Sequence, residues 1–340
     1  MQTEITAPVK LLDSTGNVAV PGYGKQNYYV YSRSAIRANP LRIKEWDFYQ
    51  ISDERYTVQI TFADISLGGA GSFTLFDRVT GKKYEAASVS LLTLGRMHMP
   101  ENANEPHVLE VKKSGFFLRA DVNKNRRILS GAGTIHGEPF RADLTLHQPE
   151  GLEYLTMAVP FKKNGHFYLN QKMNCMPVTG RVCIGSREFL FDPKTAFAVL
   201  DWGRGVWPYH CDWYWGNGSC RLPDGKLFGF EIGWGFGDMS AATENMLFYN
   251  GKAHKIGTVA AAYDEKYILS PWVFHSDDGR FEMTMTPEYD NYTSSRVLGV
   301  VGNRCHQVFG KWNGTAVLDD GGILTIQNMT AFCEHSDNRW

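Results

Sequence analysis

The chain has 340 residues, 35 of them basic and 36 acidic, for a formal net charge of −1. That length is enough for two domains and a sizeable core without disulfide or metal staples. The balanced charge, with no long basic run, argues against nucleic acid or anionic membrane as a partner, and no stretch approaches the roughly 20 consecutive apolar residues that span a bilayer.

Near the start, residues 34–39 form a short helix-like stretch that ends at Pro40. Beyond it the dominant pattern is alternation at period two, the mark of half-buried strands. It predicts strands at 56–62, 72–76, 108–111, 115–119, 140–146, 226–234 and 280–286. Between them come hairpin signals at Thr80-Gly81, Asn164-Gly165, Asp224-Gly225, Asn250-Gly251, Asp278-Gly279 and Asn313-Gly314. Gly, and Asn before it, tolerate the positive φ that tight hairpins need. Many short strands with frequent turns predict an all-β protein, mostly antiparallel, built as a barrel or sandwich with few short helices. No low-complexity linker divides the chain. The weakest joint lies at 191–195, where Asp192-Pro193 breaks a strand-rich run, and a second lies near Pro271.

Residues 201–215 stand apart. They hold four of the nine tryptophans, Trp202, Trp207, Trp213 and Trp215, together with Asp201, Arg204, Tyr209, His210 and Asp212. Flat rings at this density suit an enclosed pocket for a hydrophobic or sugar-like small molecule. An acid inside such a pocket is desolvated and can stay protonated near neutral pH, which a general acid requires, whereas an adjacent arginine favours the carboxylate. The competing reading makes the tryptophans core anchors and Asp201–Arg204 a structural ion pair.

The segment 201–209, followed by Trp213-x-Trp215-Gly216, resembles the signature of the DUF2804 family. So do residues 40–47, Thr243-Glu244-Asn245, Phe309-Gly310-x-Trp312-Asn313-Gly314 and Glu334-His335. More distantly, the layout is similar to carotenoid hydratases of the hydroxyneurosporene synthase type and to related cyclases. That resemblance implies two tandem lipocalin-like antiparallel β-barrels packed together, with a ligand cavity at or between them. Asp201 stands at the aspartate of their motif, while Trp202 replaces its histidine and Arg204 stands where tryptophan is usual. The expected domains are residues 1–192 and 193–340, with the motif at the junction.

Outside the motif, Glu231 sits in an otherwise apolar strand, on the face opposite Phe230 and Ile232. Gly233-Trp234-Gly235-Phe236-Gly237 lacks the strand–helix setting of a dinucleotide site and reads as a glycine-rich loop beside a pocket. Glu244 and Asn245 precede an apolar run and could sit at a cavity mouth. Glu45 and Asp47 share a face opposite Trp46. No metal is expected: the ten histidines are scattered, and His210, Cys211 and Asp212 alternate faces. Nucleophile-elbow and Walker motifs are absent from the sequence.

The expectation is therefore an acid–base enzyme of hydratase, lyase or cyclase type, needing no cofactor and acting on a hydrophobic small molecule. Asp201, Arg204, Tyr209 and Glu231 are its candidate catalytic residues. Trp202, Trp207, His210, Trp213, Trp215, Trp234, Glu244 and Asn245 are its candidate substrate contacts. The alternatives are a non-catalytic carrier or sensor, and a glycoside-active enzyme with paired carboxylates. The N-terminus shows no secretory pattern, so a cytoplasmic location is expected, with the six cysteines as free thiols.

Overall fold

The computed structural model describes residues 2–297 and 301–339. The protein is all-β, with two large antiparallel sheets and no α-helix among the described residues. In the first sheet the hydrogen-bonded path runs through Lys83–Leu91, Gly68–Asp77, Tyr56–Asp64, Ile43–Ser52, Phe197–Val206, Phe167–Ile184, Glu138–His147, Arg126–Ile135, Phe116–Asn123 and His107–Lys113. The path curls until its ends approach: the site where Gly71 would carry a Cβ lies 2.9 Å from the Val111 side chain, and Phe73 stacks on Phe140 across the interior. The second sheet is built on Leu227–Trp234, His210–Arg221, Ile323–Arg339, Val301–Val317 and Phe281–Asp290. Its interior is filled by Phe230, Trp272, Phe274, Met283 and Trp312. The two sheets form tandem lipocalin-like barrels, and the chain passes from one to the other between Val206 and His210.

Alternation is the local cause of most of these strands. In Phe281–Asp290, for example, Phe281, Met283 and Met285 are buried while Glu282, Thr284 and Thr286 are exposed. Two expectations fail. Residues 34–39 form no helix; the chain makes 3-10 turns at Arg33–Ala35 and Pro40–Arg42 instead. Pro40 supplies no N–H to extend a helix through it, and six residues are too few to sustain one alone. Asn313-Gly314 is no hairpin but a bulge inside Val301–Val317, where the register shifts between Trp312 and Gly314. Gly314 has φ +152°, and a Cβ there would meet the Glu282 carbonyl oxygen at 2.0 Å, so glycine serves close strand approach rather than a turn.

Where the barrels meet, alternation disappears. All ten residues of Phe197–Val206 are buried, as are the first ten of Phe167–Ile184. Each strand has one face in the first barrel's core and the other against the second barrel. In Phe197–Val206, Leu200, Trp202 and Val206 pack into the first core. The residues of the opposite parity face the partner barrel, where Val199 joins Trp215, Phe309 and Phe332. Strand parity therefore decides which residues of the 201–215 motif reach the junction.

Candidate active site

A cavity of about 540 Å³ lies between the barrels. Trp46, Phe48, Tyr168, Lys172 and Asp201 line it from the first, and Trp213, Trp215, Phe236, Glu244, Cys305, Gln307 and Glu334 from the second. Its size falls within the range of small-molecule sites. A second cleft of about 550 Å³, bordered by Asp53, Lys194 and Arg221, contains none of the candidate residues.

Three indole N–H groups each donate to a buried carboxyl group around the cavity. Trp46 Nε1 reaches Asp201 Oδ2 at 3.0 Å, Trp213 Nε1 reaches Glu334 Oε1 at 3.0 Å, and Trp215 Nε1 reaches Glu231 Oε2 at 2.6 Å. Trp213 and Trp215 lie two apart on one strand and so share a face, from which each holds a different glutamate. The tryptophans thus act as walls and as orienting donors together. A Cβ on Gly203 would overlap the Trp46 indole at 2.3 Å, and one on Gly233 would meet Glu244 Oε2 at 2.3 Å. Both glycines make room for side chains of the site.

Lys172 is the cation at the centre. Its Nζ lies 3.3 Å from Asp201 Oδ1, 3.5 Å from Glu244 Oε2 and 4.1 Å from the centroid of the Trp215 ring. The Asp201 contact is an ion pair without hydrogen-bond alignment, because Oδ1 has no hydrogen-bond partner. Burial works against the Lys172 ammonium, but Asp201, Glu244 and Glu231 outweigh it and hold the group firmly charged. One ammonium does not balance the carboxyls around it. Burial raises Glu231 to about 8 and Glu334 to about 7, and it also raises Glu244, against the lowering effect of Lys172 on all three. Glu334 faces the cavity, so it presents a carboxyl group that changes protonation near neutral pH. Its Oε2 accepts from Gln307 Nε2 at 3.2 Å.

The candidate residues divide by location. Asp201, Trp213, Trp215 and Glu244 line the cavity. Glu231 lies behind Trp215, fully buried, and also accepts from Asn217 Nδ2 at 2.7 Å. Trp207 packs edge-on against Trp46 at 4.9 Å and backs the aromatic wall. Asn245 is structural, bonded to Gly233 N and Gly257 O. Trp234 stacks on Tyr214 at 4.8 Å, on the other face of the second sheet. His210 is exposed and meets Asp337 at 3.0 Å, while Tyr209 is 46% exposed in the crossover. The Asp201–Arg204 ion pair of the competing reading does not form, and Arg204 does not line the cavity beside Asp201. Arg204 points into the first barrel, where Asp47 accepts from it at 2.8 Å, Glu45 lies at 3.7 Å and the Trp202 ring sits 3.9 Å below the guanidinium. Positions 201 and 204 are three apart in a strand and must face opposite ways. Sequence reasoning missed Lys172, Glu334 as an acid, and Trp46 as a wall. Trp46 had a signal in parity, since it lies opposite Glu45 and Asp47, which are buried in the first barrel.

Among the described residues, no group of three His, Cys, Asp or Glu side chains is arranged to hold a metal ion. The six cysteines form no disulfide. No helix among the described residues is long and apolar enough to cross a membrane.

Tandem lipocalin-like barrels with a polar and aromatic cavity at their junction define the structural class. Within it, the chain belongs to the DUF2804 family, a domain of unknown function, whose profile matches residues 2–340. A candidate AttH from Nitrosomonas europaea shares the fold, at TM-score 0.50 and 14% identity over 90% of this chain and 95% of its own. Kievitone hydratase from Nectria haematococca is similar at TM-score 0.48 and 10% identity over 98% of each chain. Among curated proteins, none matches the sequence.

Proposed function

We propose that the protein is an acid–base enzyme of hydratase, lyase or cyclase type, acting on a small molecule in the cavity between the barrels. The observation that carries this reading is a pair of buried carboxyl groups, Asp201 and Glu334, that enter one aromatic-lined cavity from opposite barrels in different electrostatic settings. Two such groups can divide the roles of base and acid.

For hydration of a carbon–carbon double bond, the Glu334 carboxyl group protonates one carbon. Positive charge then develops on the other and faces the rings of Trp46, Trp213 and Trp215. Water attacks that carbon and gives up a proton to Asp201, which Lys172 and Trp46 hold in place. The net change is addition of water; proton exchange with solvent resets both acids. Dehydration is the reverse; in cyclisation a second double bond of the same molecule attacks in place of water, and the new cation loses a proton from a neighbouring carbon to Asp201, which gives an isomer. Trp207 backs the wall, and Glu231 and Glu244 share the charge of Lys172. A carrier or sensor is the second reading, favoured by the fact that Asp201 already has two partners.

The test is to incubate the protein with a fractionated small-molecule extract and follow paired changes by mass spectrometry. The reading predicts a substrate–product pair differing by one water, or an isomeric pair for cyclisation, that disappears with folded Asp201→Asn. Turnover unchanged in Asp201→Asn contradicts it. Binding by both proteins with no turnover by either supports the carrier.

A further inference from the structure

The two flanks of the cavity differ in chemistry. One flank is aromatic: Trp46 stacks on Tyr168 at 5.9 Å, and Phe236 meets Tyr168 at 4.8 Å and Trp213 at 5.1 Å. The other flank is carboxamide. It is carried by the paired strands Val301–Val317 and Ile323–Arg339, with Gln59 from the first barrel and Asn291 from the loop before Thr293–Val297. Along these strands Gln307 lies opposite Glu334, Cys305 opposite Ser336 and Asn303 opposite Asn338. The amide row therefore begins at Glu334 and runs on for four residues, about 13 Å at the rise of a strand.

The amides hold one another in place. Gln59 Nε2 donates to Gln307 Oε1 at 2.7 Å, Asn291 Nδ2 to the same oxygen at 3.2 Å, and Asn303 Nδ2 to Asn338 Oδ1 at 2.7 Å. Asn338 Nδ2 in turn donates to Ser336 Oγ at 2.8 Å. Asn291, Asn303 and Asn338 each use one of two amide hydrogens in this way among the described residues, which leaves the second for a ligand. A wholly hydrocarbon ligand would cover these groups without pairing them, which is unfavourable. Hydroxyl groups, as both donors and acceptors, match carboxamides.

The charges at the cavity decide between neutral and anionic ligands. Among the described lining residues Lys172 is the single Lys or Arg, and Asp201 and Glu244 engage it, while Glu334 adds a third carboxyl group. Among the described lining residues no cation remains to receive a phosphate, sulfate or carboxylate.

We propose that the substrate has two parts: a flat apolar part seated among Trp46, Tyr168 and Trp213, and an uncharged, polyhydroxylated part of glycoside character laid along the amide row. Glu334 stands at the seam between them. This rests on the cavity being the active site, and it names the class of molecule that site takes.

The experiment is isothermal titration calorimetry of the full chain with three matched probes: 2-naphthol, its neutral β-glucoside and its anionic β-glucuronide. The glucoside binds about tenfold or more tighter than 2-naphthol, and the glucuronide loses about tenfold against the glucoside. Asn303→Ala and Asn338→Ala, checked for folding by circular dichroism, each weaken the glucoside severalfold and leave 2-naphthol unchanged. A glucoside that binds no better than 2-naphthol overturns the proposal. So does a glucuronide that binds as well as the glucoside, or a failure of all three probes to bind. The wild-type comparison decides the matter even if neither variant folds. Because binding alone is read, a preference for the glucoside with no turnover of any extract component sustains this inference while the proposed activity fails.

Discussion

Glu334 gives the site its dependence on pH. Its carboxyl group is raised from the ordinary 4.5 to about 7, chiefly by burial, so the folded protein keeps a proton that the unfolded chain has lost. Between these two values the folded state binds more protons, and stability falls as pH rises; above about 7 the loss is complete. Glu231 extends the same trend to about 8. The expected result is that Glu334→Gln flattens the decline in urea-unfolding free energy between about pH 4.5 and 7, and is the more stable protein, relative to wild type, above that range. A slope unchanged by Glu334→Gln contradicts the assignment. If Glu334 is the proton donor, turnover by the wild type also falls above about pH 7, and the glutamine variant loses turnover throughout. The sequence made part of this visible. Four tryptophans around Asp201 marked the place, and Trp213-x-Trp215 has the spacing of two rings on one strand face. Glu334 and Lys172 were not visible as partners of Asp201. Lys172 is the cross-strand partner of Asp201 on the neighbouring strand of the same barrel, so it depends on sheet register, and Glu334 comes from the other barrel and joins them only through the docking of the two.

At the level of the element, Phe197–Val206 divides the motif by parity. Asp201 and Gly203 look toward the cavity, while Trp202 and Arg204 look into the first barrel. Arg204 is fully buried and bonded to Asp47, to the Trp46 carbonyl and to the Pro100 carbonyl, so its role there is structural. Arg127 is also fully buried in this barrel, but its Nε and Nη1 lack hydrogen-bond partners and its Nη2 meets only Gln148 and Met173. Chemical denaturation separates the two. Arg204→Met leaves Asp47 buried without its cation and costs about 3–5 kcal/mol, whereas Arg127→Met is neutral or stabilising by about 1 kcal/mol or more. Equal losses contradict this division. The alternation rule that identified the strands also contained the separation of Asp201 from Arg204, because residues three apart in a strand face opposite ways. Asn313-Gly314 shows the limit of such local rules: the same dipeptide suits a hairpin or a bulge, and strand pairing decides.

At the level of the whole molecule, each barrel has its own core and neither holds the site alone. Asp201 and Lys172 come from the first barrel, and Glu334, Glu244, Trp213 and Trp215 from the second. This arrangement places carboxyl groups between the two barrels, where two-sided burial supplies the low dielectric that raises Glu231, Glu244 and Glu334. Substrate is expected to lie between the barrels, touching both. The most direct measurement is a crystal structure of the protein with the small molecule that co-purifies with it, identified by mass spectrometry of the same preparation. The predicted result is a ligand against Trp46 and Trp215, with a reacting carbon or oxygen within about 3.5 Å of Asp201 or Glu334. A ligand enclosed inside one barrel, or a junction in which Asp201 turns away from the cavity, would contradict the account.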